Sequence, residues 1–446
     1  GRRAKIMEAA AFIDSLYAEA EKAGLKEFQI CYDYRAGRSL SVFEGKPEKS
    51  DNDETQQIVF DVRLNGKIGK FVFEALPEAA DAAEIVRNAV ENATLISDKD
   101  DNFFYDGSGS YRTDLKPYQP LQDRLELLDK EDFLRRLEAA ALAESPLVNK
   151  VIVCGYEEKK FRIMLRNSLG LDVSREGSGA SAALYLSVKD GDEVKDALET
   201  VNFSREEDFN PKNLAALTVK KALDKLHAVD FLSGKTPVII NNKSFRMLLS
   251  GVATAASAQA VIEKMSKFDG KIGEKVAAAD VTVIEDPFLD GGIRTKAFDG
   301  EGYPTQYKEI IKDGVLQTYL HNLKTAHRFG VTSTGNGKNT VTNLYLKPGK
   351  TSFEELLSEL NEGILITELS GLHVGLDFVS GDFSVVGGGF EIKDGRIGKP
   401  LSQFTVAGNF YEVLKDIRKV GNDLDFAQTH IGSPSVWVEN LTLSNK

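Results

Sequence analysis

Histidine is the residue type in this sequence best suited to bind a metal or move a proton, and the chain has five of them. His321 and His327 are six residues apart, whereas metal ligands on one helix face are three or four residues apart. His373 and His430 each stand alone in sequence. The sequence therefore predicts no local histidine site, and a site that gathers His321, His373 and His430 in space stays open.

The two cysteines, Cys31 and Cys154, cannot form a disulfide framework or a multi-cysteine zinc knuckle. Each lies in an apolar run (FQICYDY and VIVCGY), which predicts buried free thiols. The sequence contains neither G-x-S-x-G nor S-x-x-K, so it offers no recognisable serine nucleophile. The acidic cluster Asp51–Glu54 is predicted to be a solvated loop and not a catalytic carboxylate pair.

A glycine-dense segment, GLHVGLDFVSGDFSVVGGGFEIKDG (371–395), is more informative. Gly387, Gly388 and Gly389 stand between apolar strands, although glycine is entropically costly there. Such a run is tolerated where another backbone comes close or where the strand bends. Two explanations remain open: an extended peptide that adds to a sheet edge, or a bulge at the corner of a barrel.

Composition narrows the class of protein. The 446 residues are 42% hydrophobic and 28% charged, with a net charge of −12, which is typical of a folded chain without a basic nucleic-acid or anionic-membrane surface. The longest weakly polar stretch, residues 248–262, is too short to cross a bilayer. The first residues lack the apolar core of a signal peptide, so we expect a cytoplasmic protein.

The order of elements predicts an α+β protein with two domains. Residues 1–230 combine helices with mostly antiparallel strands in an α/β two-layer domain, and residues 231–446 are β-rich, as in a curved sheet or barrel. Asn65-Gly66 predicts a hairpin, and further turns are expected at Glu157–Lys159 and Asn167–Gly170. No GxxxxGK[ST] or GxGxxG motif follows a strand, which argues against a nucleotide-binding fold.

The chain resembles the TldD/PmbA family, and within it the PmbA (TldE) branch. The matching stretches, in order, are FDVRLNGKIGKFVFEAL (60–76), GEKVAAADVTVIEDP (273–287), GEGYPTQYKEIIKDGVLQTYLHNLKTAHRFG (300–330), STGNG (333–337), SGDFSVVGGGFEIKDGRIGKPL (380–401), FTVAGNFYEVLKDIRKVGNDL (404–424) and GSPSVWVENLTL (432–443). No single stretch is specific to the family, but the order of the stretches along the chain is.

The resemblance implies a metallopeptidase fold whose TldD branch holds zinc on an HExxxH helix, with a cysteine near the C-terminus as a further ligand. The matching helix here is predicted near 244–263. Ser250 and Ala255 stand where the histidines would be, Gly251 stands where the glutamate would be, and FAQTHIGSPS has no cysteine. We therefore expect no metal, no cofactor and no catalytic residue in this chain.

The resemblance also implies a TldD-type partner, whose zinc would hydrolyse unfolded peptides in a cavity that this chain helps to enclose. Nucleic acid and membrane are not expected partners, although the family carries the older label modulator of DNA gyrase. Two alternatives remain: a non-catalytic homodimer that binds peptides as a scaffold, and an autonomous peptidase with an unrecognised site. The candidate peptide contacts are Gly375, Asp377, Ser380, Asp382, Gly387, Gly388 and Gly389.

Overall fold

The computed structural model describes residues 2–74, 78, 81–96 and 102–445. Its first half is built on one six-stranded antiparallel sheet with five helices. The strands are β1 (Phe28–Phe43), β2 (Lys46–Leu64), β3 (Lys67–Phe73), β4 (Val148–Asn167), β5 (Asp172–Asp190) and β6 (Glu193–Asn202). The helices are α1 (Arg2–Lys22), α2 (Ala82–Leu95), α3 (Gln122–Leu127), α4 (Lys130–Glu144) and α5 (Pro211–Leu223).

The sheet has the order β3-β2-β1-β4-β5-β6, and two pairs of helices pack on it. Alternate residues of β1 and β2, such as Tyr32 and Phe60, are fully buried against α1 and α2. Further along the sheet, α4 and α5 pack on β4 and β5 around Phe133 and Leu184. This alternation is what a sheet with one helix-covered face requires, and it confirms the mixed α and β composition.

The turn predictions have mixed outcomes. The hairpin is confirmed, because Asn65 and Gly66 join β2 to β3 with φ angles of 51° and 77°. The turn expected at Glu157–Lys159 is wrong. Glu157 pairs with Ser39 of β1 and Ser181 of β5, so β4 continues without a break. Asp51–Glu54 is also not a loop but part of β2, with its side chains exposed to water.

The second half contains two sheets and six helices. Its strands are β7 (Gly234–Ile240), β8 (Val283–Asp286), β9 (Lys308–Lys312), β10 (Val315–Leu316), β11 (Asn343–Leu346), β12 (Gly363–Ser370), β13 (Asp382–Lys393), β14 (Arg396–Pro400), β15 (Phe404–Asn409), β16 (Ile417–Val420), β17 (Ile431–Gly432) and β18 (Val436–Asn445). Its helices are α6 (Asn242–Ala256), α7 (Ala258–Ile262), α8 (Leu323–Phe329), α9 (Phe353–Leu360), α10 (Leu372–Gly375) and α11 (Phe410–Asp416).

A closed barrel forms the centre of the second half, which is one of the two forms that the strand pattern predicted. Strands β12, β7, β18, β15 and β13 pair in that order, and β13 pairs back onto β12 to close the ring. The other sheet has the order β10-β9-β8-β11-β17. Helix α6 contacts β12 of the barrel and β11 and β17 of the second sheet, so it lies in the core that both sheets share.

The predicted small-residue helix is two helices. Asn241 caps α6 by accepting a hydrogen bond from the Ser244 amide (2.9 Å). The chain leaves helical geometry at Ser257 (φ −60°, ψ 123°) and then forms α7. Among the described residues, no helix combines the length and the apolar character needed to cross a bilayer.

Candidate functional site

The positions on α6 that match the zinc motif are occupied by packing. The Ser250 hydroxyl donates to the Met247 carbonyl oxygen (2.7 Å) within the same helix. A Cβ on Gly251 would come within 2.9 Å of the Phe410 ring, and Ala255 is buried. Of these three residues only Ser250 has a side-chain donor atom, and a lone hydroxyl is a poor ligand for zinc. The residues present do not fit the metal.

The other side chains of α6 include no His, Cys, Asp or Glu that could replace the missing zinc ligands. The buried face of this helix is apolar, with Phe245, Leu248, Leu249 and Val252 packed in the shared core. Across the described ranges, with gaps at 75–77, 79–80 and 97–101, no group of three His, Cys, Asp or Glu side chains is placed to hold a metal ion. Hydrolysis at α6 would therefore need chemistry that its side chains do not supply.

The histidines that remained open as a joint site have separate surroundings. His321 is buried, with Nδ1 3.2 Å from the Thr325 hydroxyl and its ring against Phe329. His373 is exposed on α10. His430 precedes β17, and its main-chain oxygen accepts the Leu344 amide (2.8 Å). Within the described residues, the hydrogen bonds and ring contacts of His321 and His430 involve no common residue, so the structure gives no support to a shared site.

The first part of the candidate peptide segment forms a self-bonded turn. The Asp377 carboxylate accepts from the amides of Val379 and Ser380, which lowers its pKa. Ser380 Oγ accepts from the Asp382 amide, and the Asp382 carboxylate accepts from Asn409 Nδ2 (2.8 Å). A Cβ on Gly375 would lie 2.6 Å from the Ser384 carbonyl oxygen. These polar groups already have partners within the chain.

The glycine run lies in β13 on the wall of the barrel. A Cβ on Gly389 would lie 1.8 Å from the Leu365 carbonyl oxygen of β12, so the backbones of β12 and β13 approach closely there. A Cβ on Gly387 would meet the side chains of Phe404 and Val406, and one on Gly388 would come within 3.1 Å of Glu368. Close packing in the barrel therefore accounts for Gly387 and Gly389 without any ligand, whereas Gly388 meets only the flexible side chain of Glu368.

The main chain at this run also has no open edge. Gly387 pairs with Leu369 of β12 on one side and with Phe404 of β15 on the other. The register between β12 and β13 shifts between Ile366 and Glu368, which is a bulge of the kind expected at a barrel corner. Peptide contact at the seven candidate residues stays a prediction, and the bulge accounts for the glycines.

The sequence did not single out a buried polar network in the second sheet and its loops. Glu285 of β8 is fully buried and forms an ion pair with Lys308 of β9, with 2.9 Å between Oε2 and Nζ. The same carboxylate accepts from the amide and hydroxyl of Thr342 and from Asn336 Nδ2. A buried charge needs such partners. The one sequence signal is an acid inside the apolar run VTVIEDP.

A second carboxylate, Asp299, extends this network. It accepts hydrogen bonds from the amides of Glu301 (2.8 Å), Tyr303 (3.0 Å) and Gly337 (2.6 Å). Burial raises its pKa although these amides favour the charged form. Burial also raises the pKa of Glu301 to about 7, and its Oε2 accepts from the Leu323 amide (3.0 Å). These bonds hold the loops that follow β8 in place.

Comparison with known proteins agrees with this architecture. Residues 233–445 match the model of the PmbA/TldA metallopeptidase C-terminal domain, and residues 120–226 match that of the central domain. A curated relative, the metalloprotease PmbA homolog of Buchnera aphidicola, is 30% identical over 279 residues. That match covers 62% of this chain and 62% of the relative, so the chain spans about three fifths of the curated protein.

Two crystal structures have the same fold. One, from Thermotoga maritima and described as a modulator of a DNA gyrase, is 30% identical, with a TM-score of 0.89 over 98% of this chain and 100% of its own length. The other, TldE from Thermococcus kodakarensis, has a TM-score of 0.83 over 97% of this chain and 100% of its own. At 22% identity, the TldE match is evidence for the fold alone.

Proposed function

Because this chain belongs to the PmbA/TldD metallopeptidase family, we propose that it is a PmbA (TldE)-like subunit without its own zinc. In this proposal, hydrolysis of unfolded peptides depends on a TldD-type partner that carries the HExxxH helix. The observation that carries the proposal is the set of residues at the three motif positions of α6. Ser250, Gly251 and Ala255, which match the motif by resemblance, provide one hydroxyl and no carboxylate or imidazole.

Packing around α6 supports this function beyond the choice of residues. A glutamate at position 251 would have to displace the Phe410 ring, because even a Cβ there lies 2.9 Å from it. Ala255 lies in the apolar core, and its carbonyl oxygen accepts from the Ser266 hydroxyl (2.6 Å). The helix is thus adapted to close packing, which suits a structural or enclosing role better than a hydrolytic one.

Activity on mixing tests the proposal. The purified chain, a TldD-type chain encoded by the same genome, and the mixture of the two would be assayed on an unfolded reporter peptide with and without a zinc chelator. We expect no cleavage by this chain alone and chelator-sensitive cleavage by the mixture that exceeds that of the partner alone.

Two outcomes would refute the proposal. Chelator-sensitive cleavage by this chain alone would show an autonomous peptidase. A stable homodimer that neither binds the TldD-type chain nor raises its activity would show a scaffold. The matched control is a partner whose HExxxH glutamate is changed to glutamine, and the mixture should then be inactive because the general base is lost.

A further inference from the structure

Five groups that are cationic or can become so lie near enough to one another to affect each other's charge. They come from four parts of the chain: β5, the start of α6, the segment after β8 and the segment before β17. We call them the cationic cluster: Arg175, Arg246, Arg294, Lys296 and His430. Arg294 is exposed and the others are partly buried, so the cluster is in contact with water at Arg294.

The two halves of the molecule are joined near this cluster. Gln428, two residues before His430, accepts a hydrogen bond from the Asn202 amide (2.6 Å) at the end of β6. The Tyr118 amide donates to the Gly292 carbonyl oxygen (3.0 Å), two residues before Arg294. Contacts from both sides of the molecule therefore fix the segments that carry Arg294 and His430.

Each of the three arginines of the cluster makes a contact that holds its side chain or its main chain. Arg294 Nη1 donates to the Val341 carbonyl oxygen (3.1 Å), and the Arg294 amide donates to Asn343 Oδ1 (3.0 Å). The Arg175 guanidinium lies 4.9 Å from the centre of the Phe161 ring. Arg246 makes one long bond to Thr429 Oγ1 (3.4 Å), and its Nε is buried without a partner.

The cations of the cluster are not paired with acids. In the part of the chain that the structure describes, no carboxylate oxygen lies within 4.0 Å of the charged nitrogens of Arg175, Arg246, Arg294 or Lys296. This is unusual in a chain of net charge −12.

The acids nearest to the cluster are bonded elsewhere. Asp33, near Arg175, forms a two-pronged bond with Arg35. Asp299 and Glu285, near Lys296, serve the buried network described above. Asp425, near Arg246, accepts from the Ala427 amide.

Burial and the neighbouring cations lower the pKa values of Lys296 and His430. Burial, with Arg175 and Arg294 nearby, lowers the pKa of Lys296 to about 8. Burial, with Arg294, Arg246 and Lys296 nearby, lowers the pKa of His430 to about 4. Like charges that are partly removed from water destabilise each other unless an anion lies among them. The molecule therefore retains a positive site that its own acids do not neutralise.

We propose that the cationic cluster binds a carboxylate, and that this carboxylate is the C-terminal end of an extended peptide. Guanidinium N–H groups match the two oxygens of a carboxylate, and among the described residues neither Arg246 nor Arg294 has a carboxylate within 4.0 Å of its charged nitrogens. The choice of a peptide as the source rests on the function proposed above. The chemistry of the cluster alone would also suit inorganic phosphate, which the test must distinguish.

Calorimetry on the full chain without any partner tests the proposal. The probes are an unstructured alanine-rich octapeptide with a free C-terminal carboxylate, the same peptide as its C-terminal amide, and inorganic phosphate. We expect the free-acid peptide to bind about tenfold or more tightly than the amide, as loss of a charge-assisted pair predicts. Arg294→Gln and Lys296→Met should each weaken binding of the free acid about tenfold and leave binding of the amide unchanged.

Matched controls separate the cluster from general charge effects. Arg396→Gln and Lys235→Met remove exposed cations on β14 and β7, and they should bind the free acid as the unaltered chain does. The NMR titration of His430 gives a second readout, because a bound carboxylate should raise the pKa of that imidazole. Circular dichroism verifies that each variant is folded.

Several results would overturn the proposal. Equal affinity for acid and amide, absence of binding, or unchanged binding by both cluster variants would each exclude a carboxylate at the cluster. Binding of phosphate without binding of the free-acid peptide would exclude the peptide terminus. The calorimetry does not measure hydrolysis, so the two proposals can fail separately. If the free-acid peptide binds at the cluster but mixing with the partner gives no cleavage, the proposed function is refuted and this site stands.

Discussion

Two lysines near Glu285 show how differently the molecule treats a shielded cation. Lys308 lies opposite Glu285 in the register of β8 and β9, and its Nζ is 2.9 Å from the carboxylate. Lys296 is near the same carboxylate but forms no ion pair within the described ranges, and it adjoins Arg175 and Arg294 instead. Lys308 is paired with an acid within the fold, whereas Lys296 has no acid within 4.0 Å among the described residues and lies near two arginines.

We infer from this difference that Lys308 has a structural role and that Lys296 has a role in ligand binding. A buried pair whose hydrogen bonds are satisfied holds elements together, and loss of one partner is costly. An unpaired cation beside other cations lowers stability, and such a feature is typical of a site that meets a charged ligand. The pair of Glu285 and Lys308 therefore holds β8 and β9 together, whereas the cationic cluster is suited to bind an anion.

The largest effect is expected when Glu285 loses its charge. Glu285→Gln would leave the Lys308 ammonium buried without a counter-ion, so we expect a loss of about 3–5 kcal/mol in the free energy of unfolding. Urea denaturation measures this change. The control is Glu309→Gln, which removes a carboxylate from a more exposed pair with Lys312 and should cost about 0–1 kcal/mol. Equal costs for the two variants would contradict a structural role for the buried pair.

A smaller loss is expected from the other side of the same pair. In Lys308→Met, the Glu285 carboxylate keeps its hydrogen bonds from Asn336 and Thr342, so we expect a loss of about 2–3 kcal/mol. Denaturation of the two single variants and the double variant gives their coupling. Additive costs would mean that the two side chains do not act as a pair.

Lys296→Met should have the opposite sign. The folded chain releases the Lys296 proton near pH 8, whereas the unfolded chain does so near pH 10.5. Below pH 8 the folded state bears the full cost of the charge, so we expect the variant to be about 1–3 kcal/mol more stable at pH 7.

The pH dependence of this gain gives a second check. Between pH 8 and 10.5 the unfolded chain binds more protons, so the unaltered chain gains stability with rising pH and the advantage of Lys296→Met shrinks. Denaturation of both proteins at pH 7 and pH 10 measures this. A variant that is less stable at pH 7, or an advantage that does not depend on pH, would contradict repulsion in the cluster.

The smallest effect concerns His430. Arg294 is a neighbour that lowers its pKa, so Arg294→Gln should raise the pKa of His430 above about 4 with little change in fold. The NMR titration of the imidazole resolves a shift of this kind. An unchanged pKa would place Arg294 too far from His430 for the two to share a ligand.

Local patterns predicted much of the fold, because the residues that cause it are adjacent in sequence. Asn65-Gly66 forms the expected hairpin between β2 and β3. Short strands separated by turns predicted a curved sheet or barrel, and the structure has a closed barrel. The continuous β4 was missed, because its charged residues at 157–160 resemble a turn until the neighbouring strands are known.

The site was less predictable because its members are distant in sequence. The α6 positions Ser250, Gly251 and Ala255 were found by resemblance, because they lie close together within the one helix that matches the HExxxH helix of the family. The pairing of Glu285 with Lys308 depends on the register of β8 and β9, which no local pattern gives. The cationic cluster draws on residues from 175 to 430 and exists only when the two halves pack together.

The most direct measurement for the whole account is the zinc content of this chain purified alone. The protein would be incubated with excess zinc, desalted and analysed by elemental mass spectrometry, followed by an anomalous map of its crystals. The account predicts far less than one zinc per chain and no anomalous peak at α6. One zinc per chain, with a peak beside Ser250 or Ala255, would contradict it.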